Sequence, residues 1–107
     1  MKTTVKIELD KIRYLRFDVN AMIEVEELIG KPVTALDSEE LGMKGLRSVL
    51  YAGLKWESPK LTLREAGDMM SAGLVSEGLD YLVDTLGDAL MLGLGVKPED
   101  RGDEEKN

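Results

Sequence analysis

A chain of 107 residues that is 43% apolar amounts to one domain, long enough to bury a core without disulfides or metal. It holds neither cysteine nor histidine, which excludes a disulfide framework, thiol catalysis, and the usual general base and metal ligand at neutral pH. With 21 acidic against 14 basic residues its net charge is −7, so it repels nucleic-acid phosphate unless its bases cluster. No apolar run approaches the length of a membrane span, and the N-terminal MKTTVKIELD lacks the apolar region of a signal peptide. A soluble, cytoplasmic protein is expected.

Residues 3–18 predict a β-hairpin. Val5, Ile7 and Leu9 alternate with Lys6 and Glu8, the pattern of a half-buried strand, and Asp10-Lys11 is the expected turn. The return strand changes phase, with Ile12 and Tyr14 on one face and Leu15 and Phe17 on the other. A two-residue turn would set Val5 against Arg16, and a bulge near Tyr14-Leu15 would restore the pairing of apolar residues. A helix follows, capped by Asp18 or Asn20, with Ala21, Met22, Val25, Leu28 and Ile29 on its buried face and Gly30 at its end. Ile23 falls alone on the polar side. Residues 31–42 form a connection rich in turn formers and acids.

Met43 to Trp56 (MKGLRSVLYAGLKW) is the most apolar stretch and the expected centre of the core. At about 100° per residue, Met43, Leu46, Val49, Leu50, Gly53, Leu54 and Trp56 share one broad surface. Only Lys44, Ser48 and Lys55, with Arg47 beside them, remain for water, so such a helix is covered on several sides. Glu57-Ser58-Pro59 breaks it. Thr62 and Glu65 then make a capping box with Leu61 as hydrophobic staple, starting a short helix that buries Leu63, Ala66, Gly67 and Met70 and stops near Gly73. The last helix runs from about Ser76 to Leu92 and buries Leu79, Leu82, Val83, Leu86, Ala89 and Leu90. The ordered domain spans 1–94, and 95–107 is a charged, disordered tail.

Few patterns suggest chemistry. Glu77, Asp80, Asp84 and Asp88 line one side of the last helix, where carboxylates could hold a hard cation or imitate a row of phosphates. A solvated face explains them more simply. The strip Lys44, Arg47, Lys55 could meet an acidic partner, a second copy of the chain included, but surface charge on the least buried edge of a core helix explains it more simply. The six methionines, Met69 and Met70 adjoining among them, suit either adaptable binding or gap filling in the core. Gly45, Gly53, Gly67, Gly78 and Gly87 all fall inside proposed helices, each costing about 1 kcal/mol relative to alanine. Close helix packing accounts for Gly53, which faces the core. The string GLGVK at 93–97 lacks the ending and the preceding strand of a P-loop.

In order, VKIELD–KIRYLRFDVNAMIEVEELIGK, GLRSVLYAGLKWESPKLTLREAGDMM and GLDYLVDTLGDAL resemble the small tail assembly chaperones of long-tailed phages and related gene-transfer-agent tail proteins. The matching positions are Arg16-Phe17-Asp18 running into Asn20-Ala21, Glu26-Glu27, Leu46-Arg47 through Gly53-Leu54, and Pro59 through Leu61-Thr62-Leu63 with Glu65. The resemblance covers roughly residues 1–92 and consists of core and cap positions rather than catalytic signatures. The chain departs from the pattern in lacking a turn glycine after Asp10 and in its helix glycines.

The resemblance implies a non-enzymatic protein without cofactor or metal, acting in the cytoplasm of the infected host and absent from the mature virion. Its partner would be the tape-measure protein, kept soluble while the tail tube assembles. A longer frameshifted product would recruit the tail-tube protein. The expected fold is α+β, an N-terminal β-hairpin followed by about four α-helices around the central apolar helix 43–56. Trp56, Met69 and Met70, which flank the junctions around Pro59, are the expected partner-binding residues. The competing reading is an acidic DNA mimic or inhibitor acting on a basic nucleic-acid-binding partner.

Overall fold

The computed structural model describes residues 3–96; of the tail expected over 95–107, all but Gly95 and Val96 lies outside the described residues. The fold is α+β: an N-terminal antiparallel hairpin followed by four helices.

Strands Val5–Glu8 (β1) and Ile12–Leu15 (β2) pair Val5 with Leu15, Lys6 with Tyr14, Ile7 with Arg13 and Glu8 with Ile12. The ladder is unbroken through 14–15, so the expected bulge is absent. The turn absorbs the phase change instead, because three residues, Leu9-Asp10-Lys11, join the strands rather than two. A one-residue difference in loop length moves every side chain of the return strand to the other face. Ile7, Leu15 and Phe17 therefore all point into the core, while Ile12 and Tyr14 face outward. The N–H of Leu9 bonds the carbonyl of Lys11 at 3.0 Å, and the Leu9 side chain is buried.

Helix α1, Val19–Ile29, is capped by Asp18, whose Oδ1 accepts from the Ala21 N–H at 2.9 Å, and it ends at Gly30. Met22 and Val25 are buried and Ile23 is exposed, as the periodicity predicts. A 3-10 turn, Val33–Ala35, leads to helix α2, Ser38–Leu54. This helix begins five residues before its expected start at Met43, because Asp37 caps the Glu39 N–H and Glu39 and Glu40 sit favourably in the first turn. The early turn and the main helix meet at Gly42, whose φ of 64° and ψ of −176° kink the backbone in a region that only glycine enters readily.

Beyond the kink α2 forms the centre of the fold and touches α1, α3 (Leu63–Glu77), α4 (Leu79–Gly93) and β2. Leu46, Val49, Leu50, Ala52 and Leu54 are buried. Three assignments differ from the periodicity. Met43 is 52% exposed beside the kink, and Trp56 lies past the helix end. Ser48 is buried, its hydroxyl donating to the Lys44 carbonyl at 3.0 Å. At Gly53 the expected close packing is present: an added Cβ would lie 2.6 Å from the Phe17 ring and 2.9 Å from Leu15 Cδ2.

The capping box forms as expected. Thr62 Oγ1 accepts from the Glu65 N–H at 3.1 Å, and Glu65 Oε1 accepts from the Thr62 N–H at 3.0 Å. Helix α3 does not stop near Gly73 but continues to Glu77. Gly73 is buried mid-helix, where the Leu9 side chain of the hairpin turn presses against it. The break comes at Gly78, with φ of 94°, which ends α3 and opens α4. The last helix thus starts three residues later than expected. Leu82, Leu86 and Ala89 are buried, but Leu79 is 44% exposed. At the C-terminal end the Gly95 N–H bonds the Leu92 carbonyl and the Val96 N–H bonds the Met91 carbonyl, a Schellman pair that gives residues 93–96 a role as a helix stop. No helix among the described residues is long and apolar enough to cross a membrane.

Gly53→Ala is expected to lose about 1–3 kcal/mol of stability through overpacking against Phe17 and Leu15. Gly87→Ala, where an added Cβ meets nothing within 4 Å, is expected to gain up to about 1 kcal/mol from helix propensity. Urea denaturation of the two variants checks the opposite signs.

Candidate functional site

The three residues that sequence alone nominates do not converge. Met70 is buried in the core. Met69 is half-buried at the edge of an open cleft of about 690 Å³, where Asp10, Pro59, Lys60, Glu65 and Asp68 mix charge of both signs. Trp56 does not line that cleft. Its Nε1 donates to the Tyr14 carbonyl at 2.9 Å, and the Arg16 guanidinium lies 5.8 Å from the ring centroid, within cation–π range. Trp56 therefore covers the outer edge of β2.

That edge has a second cover, since the Arg16 N–H donates to the Gly53 carbonyl at 3.0 Å. On the opposite edge the Tyr81 hydroxyl of α4 accepts from the Glu8 N–H at 3.0 Å. Both sides of the hairpin thus spend ladder positions on the protein's own helices, which leaves little for an added strand.

The charged rows are also divided. Glu77 ends α3 while Asp80, Asp84 and Asp88 lie on α4, so the Gly78 break interrupts the expected row of four. Among the described residues no group of three or more potential ligands could hold a metal ion. Of the basic strip, Lys44 is exposed and Arg47 lies against Gly67 of α3. Lys55 donates to the Tyr51 hydroxyl at 3.2 Å and pairs with Glu24 at 3.7 Å, and both partners raise its pKa.

An uncovered apolar groove runs along α4. Leu79, Val83, Gly87, Leu90 and Leu94 recur at three- or four-residue spacing and form one wall. The 3-10 turn and α2 supply the other, with Val33, Leu36, Leu41, Met43 and Leu46. The groove has two lobes, about 260 Å³ and about 350 Å³, which share Ser38, Leu46 and Val83. Among the described residues no charged side chain lines the smaller lobe, whereas Glu39, Asp80 and Asp84 rim the larger one at the N-terminal end of α4.

Local polar contacts hold the α2 wall in place. Glu26 Oε2 accepts from the Val33 N–H at 2.9 Å, anchoring the 3-10 turn to α1. Lys31 pairs with Glu40 at 3.1 Å, tying the connection to the first turn of α2. The Gly42 kink sets that turn at an angle to the main helix, so Leu41 and Met43 reach the groove from either side of it. Periodicity finds the apolar face of α4 but assigns all of it to the core. The signal that distinguishes this face is its width: it exceeds what a single neighbouring helix covers.

Comparison with protein-family models, with curated proteins and with solved structures finds no match.

At the rim of the Met69 cleft, Asp10 accepts from Arg13 Nε and Nη2, each at 2.9 Å, and these bonds lower its pKa. A carboxylate with a lowered folded pKa contributes stability above its unfolded pKa and loses it as pH falls through the folded value. Asp10→Asn is expected to cost a few tenths of a kcal/mol, about the worth of an exposed pair, at pH 7. Thermal melts should show that difference vanishing below the ordinary aspartate range.

Proposed function

We propose that this chain is a tail assembly chaperone that binds the tape-measure protein, keeps that long helical chain from aggregating and promotes tail-tube assembly. The observation that carries the reading is the apolar groove along α4, uncovered on a chain whose net charge is −7. A protein that holds unassembled chains needs both features: an apolar surface to bind the client and charge to keep its own copies apart. Both hairpin edges are already bonded to the protein's own helices, so the client mode that fits is a helix laid in a groove rather than an added strand.

The partner's identity comes from the resemblance of residues 1–92 to tail assembly chaperones. The groove supports the reading by offering an apolar surface suited to such a partner. The same reading places the protein in the host cytoplasm and outside the finished virion. It assigns no catalytic step, and it gives recruitment of the tube protein to a longer frameshifted product.

The test is co-expression with the tape-measure protein encoded in the same tail-gene cluster. The expected result is a soluble complex that co-purifies, with tape-measure protein expressed alone found in the insoluble fraction. A tape-measure protein that stays insoluble beside abundant chaperone, or the lack of any tape-measure reading frame near this gene, would overturn the reading.

A further inference from the structure

Resting on that reading, we infer that the occupant of the α4 groove is an amphipathic helix of about four turns with Lys or Arg at one end, seated with its basic end against Asp80 and Asp84. Length comes from α4 itself, whose 15 residues span about 22 Å. Its groove-facing positions run nearly the whole way, from Leu79 to Leu94.

Polarity comes from the rim. Glu39, Asp80 and Asp84 are all exposed, and among the described residues none of the three forms an ion pair. Among the described residues no charged side chain lines the lobe toward the C-terminal end of α4. An apolar stripe of either direction could enter such a groove, but only one with cations at the Asp80 end gains from the carboxylates. The groove thereby sets the orientation of its client as well as its register.

Gly87 gains a role in this account. It lies on the groove wall, mid-helix and exposed, and among the described residues an added Cβ there would meet nothing within 4 Å beyond its chain neighbours and its own helix backbone. Nothing inside the protein requires glycine at that position, yet glycine weakens the helix. The vacant space opens into the uncharged lobe, where it admits a large side chain from the client.

Charge also selects among occupants. A second copy seated by α1 or α4 would bring Glu27, or Asp80 and Asp84, like charges against an acidic rim. An anionic lipid surface meets the same repulsion.

Two synthetic 16-residue peptides test the inference. Both carry the same leucine stripe; one ends in three lysines and the other in three glutamates. Titrated against the full chain, the lysine-ended peptide is expected to bind at least tenfold more tightly, with affinity falling as salt rises. Asp80→Asn with Asp84→Asn should remove the difference between the peptides. Gly87→Leu, a good helix former, should weaken the lysine-ended peptide at least tenfold while the melting temperature is maintained or raised. Equal binding of the two peptides by the native chain, or unchanged binding by a folded Gly87→Leu variant, would overturn the inference. So would a dimer of the native chain that Gly87→Leu dissolves, since the groove would then belong to a second copy. Failure of the co-expression experiment with the peptide preference intact would overturn the tape-measure reading alone. A soluble tape-measure complex insensitive to Gly87→Leu would overturn this docking surface alone.

Discussion

The structure depends on one close approach, that of the C-terminal half of α2 to the end of the hairpin. Gly53 has no side chain, so the Phe17 ring and Leu15 lie against the helix backbone itself. At that separation the Arg16 N–H reaches the Gly53 carbonyl at 3.0 Å and the Trp56 indole reaches the Tyr14 carbonyl at 2.9 Å. Packing and hydrogen bonding thus support each other at the same seam, and backbone groups on the outer edge of the hairpin find partners there. A two-stranded hairpin is marginal alone. Here one edge is fastened to α2 and the other, through Tyr81, to α4.

The groove is the counterpart of that seam. The hairpin, α1 and α3 surround the main part of α2, and α4 reaches the remaining side. The Gly42 kink sets Ser38–Leu41 at an angle to the helix that follows. Apolar residues from the 3-10 turn, from both sides of the kink and from α4 therefore face one another across a gap that they do not fill. The hydrogen bond from Val33 to Glu26 fastens the 3-10 turn to α1, and the Lys31–Glu40 pair joins the connection to the first turn of α2. An apolar channel of this length, graded in charge from one end to the other, is a surface with a direction. A chaperone that must present a long client in an ordered way would benefit from that property.

Much of the fold was legible because local chemistry fixes it. Asp18 and Thr62 cap helices through bonds to residues three positions on, and Gly30 stops α1 where it stands. The hairpin turn was less legible, since Leu9-Asp10-Lys11 has no glycine to declare its length and the phase change suits either a bulge or a longer loop. Gly73 and Gly78 exchanged roles for a similar reason. Periodicity runs through both, and only the hairpin pressing on Gly73 and the left-handed backbone at Gly78 tell them apart. The candidate site was the least legible part. Spacing shows which side of α4 is apolar but not how much of it a neighbour covers. Adjacency in sequence likewise hides that Met69 borders a cleft while Met70 is sealed in the core.

The chain's six methionines offer a direct reading of where a client lies. Met43 and Met91 line the α4 groove, Met69 borders the Pro59 cleft, and Met22 and Met70 are buried. Methyl NMR of methionine-labelled protein, with and without the proposed tape-measure partner, locates any contact without a substitution. Large shifts at Met43 and Met91 with Met69 unmoved are the result this account predicts. Shifts at Met69 that leave Met43 and Met91 in place would contradict it.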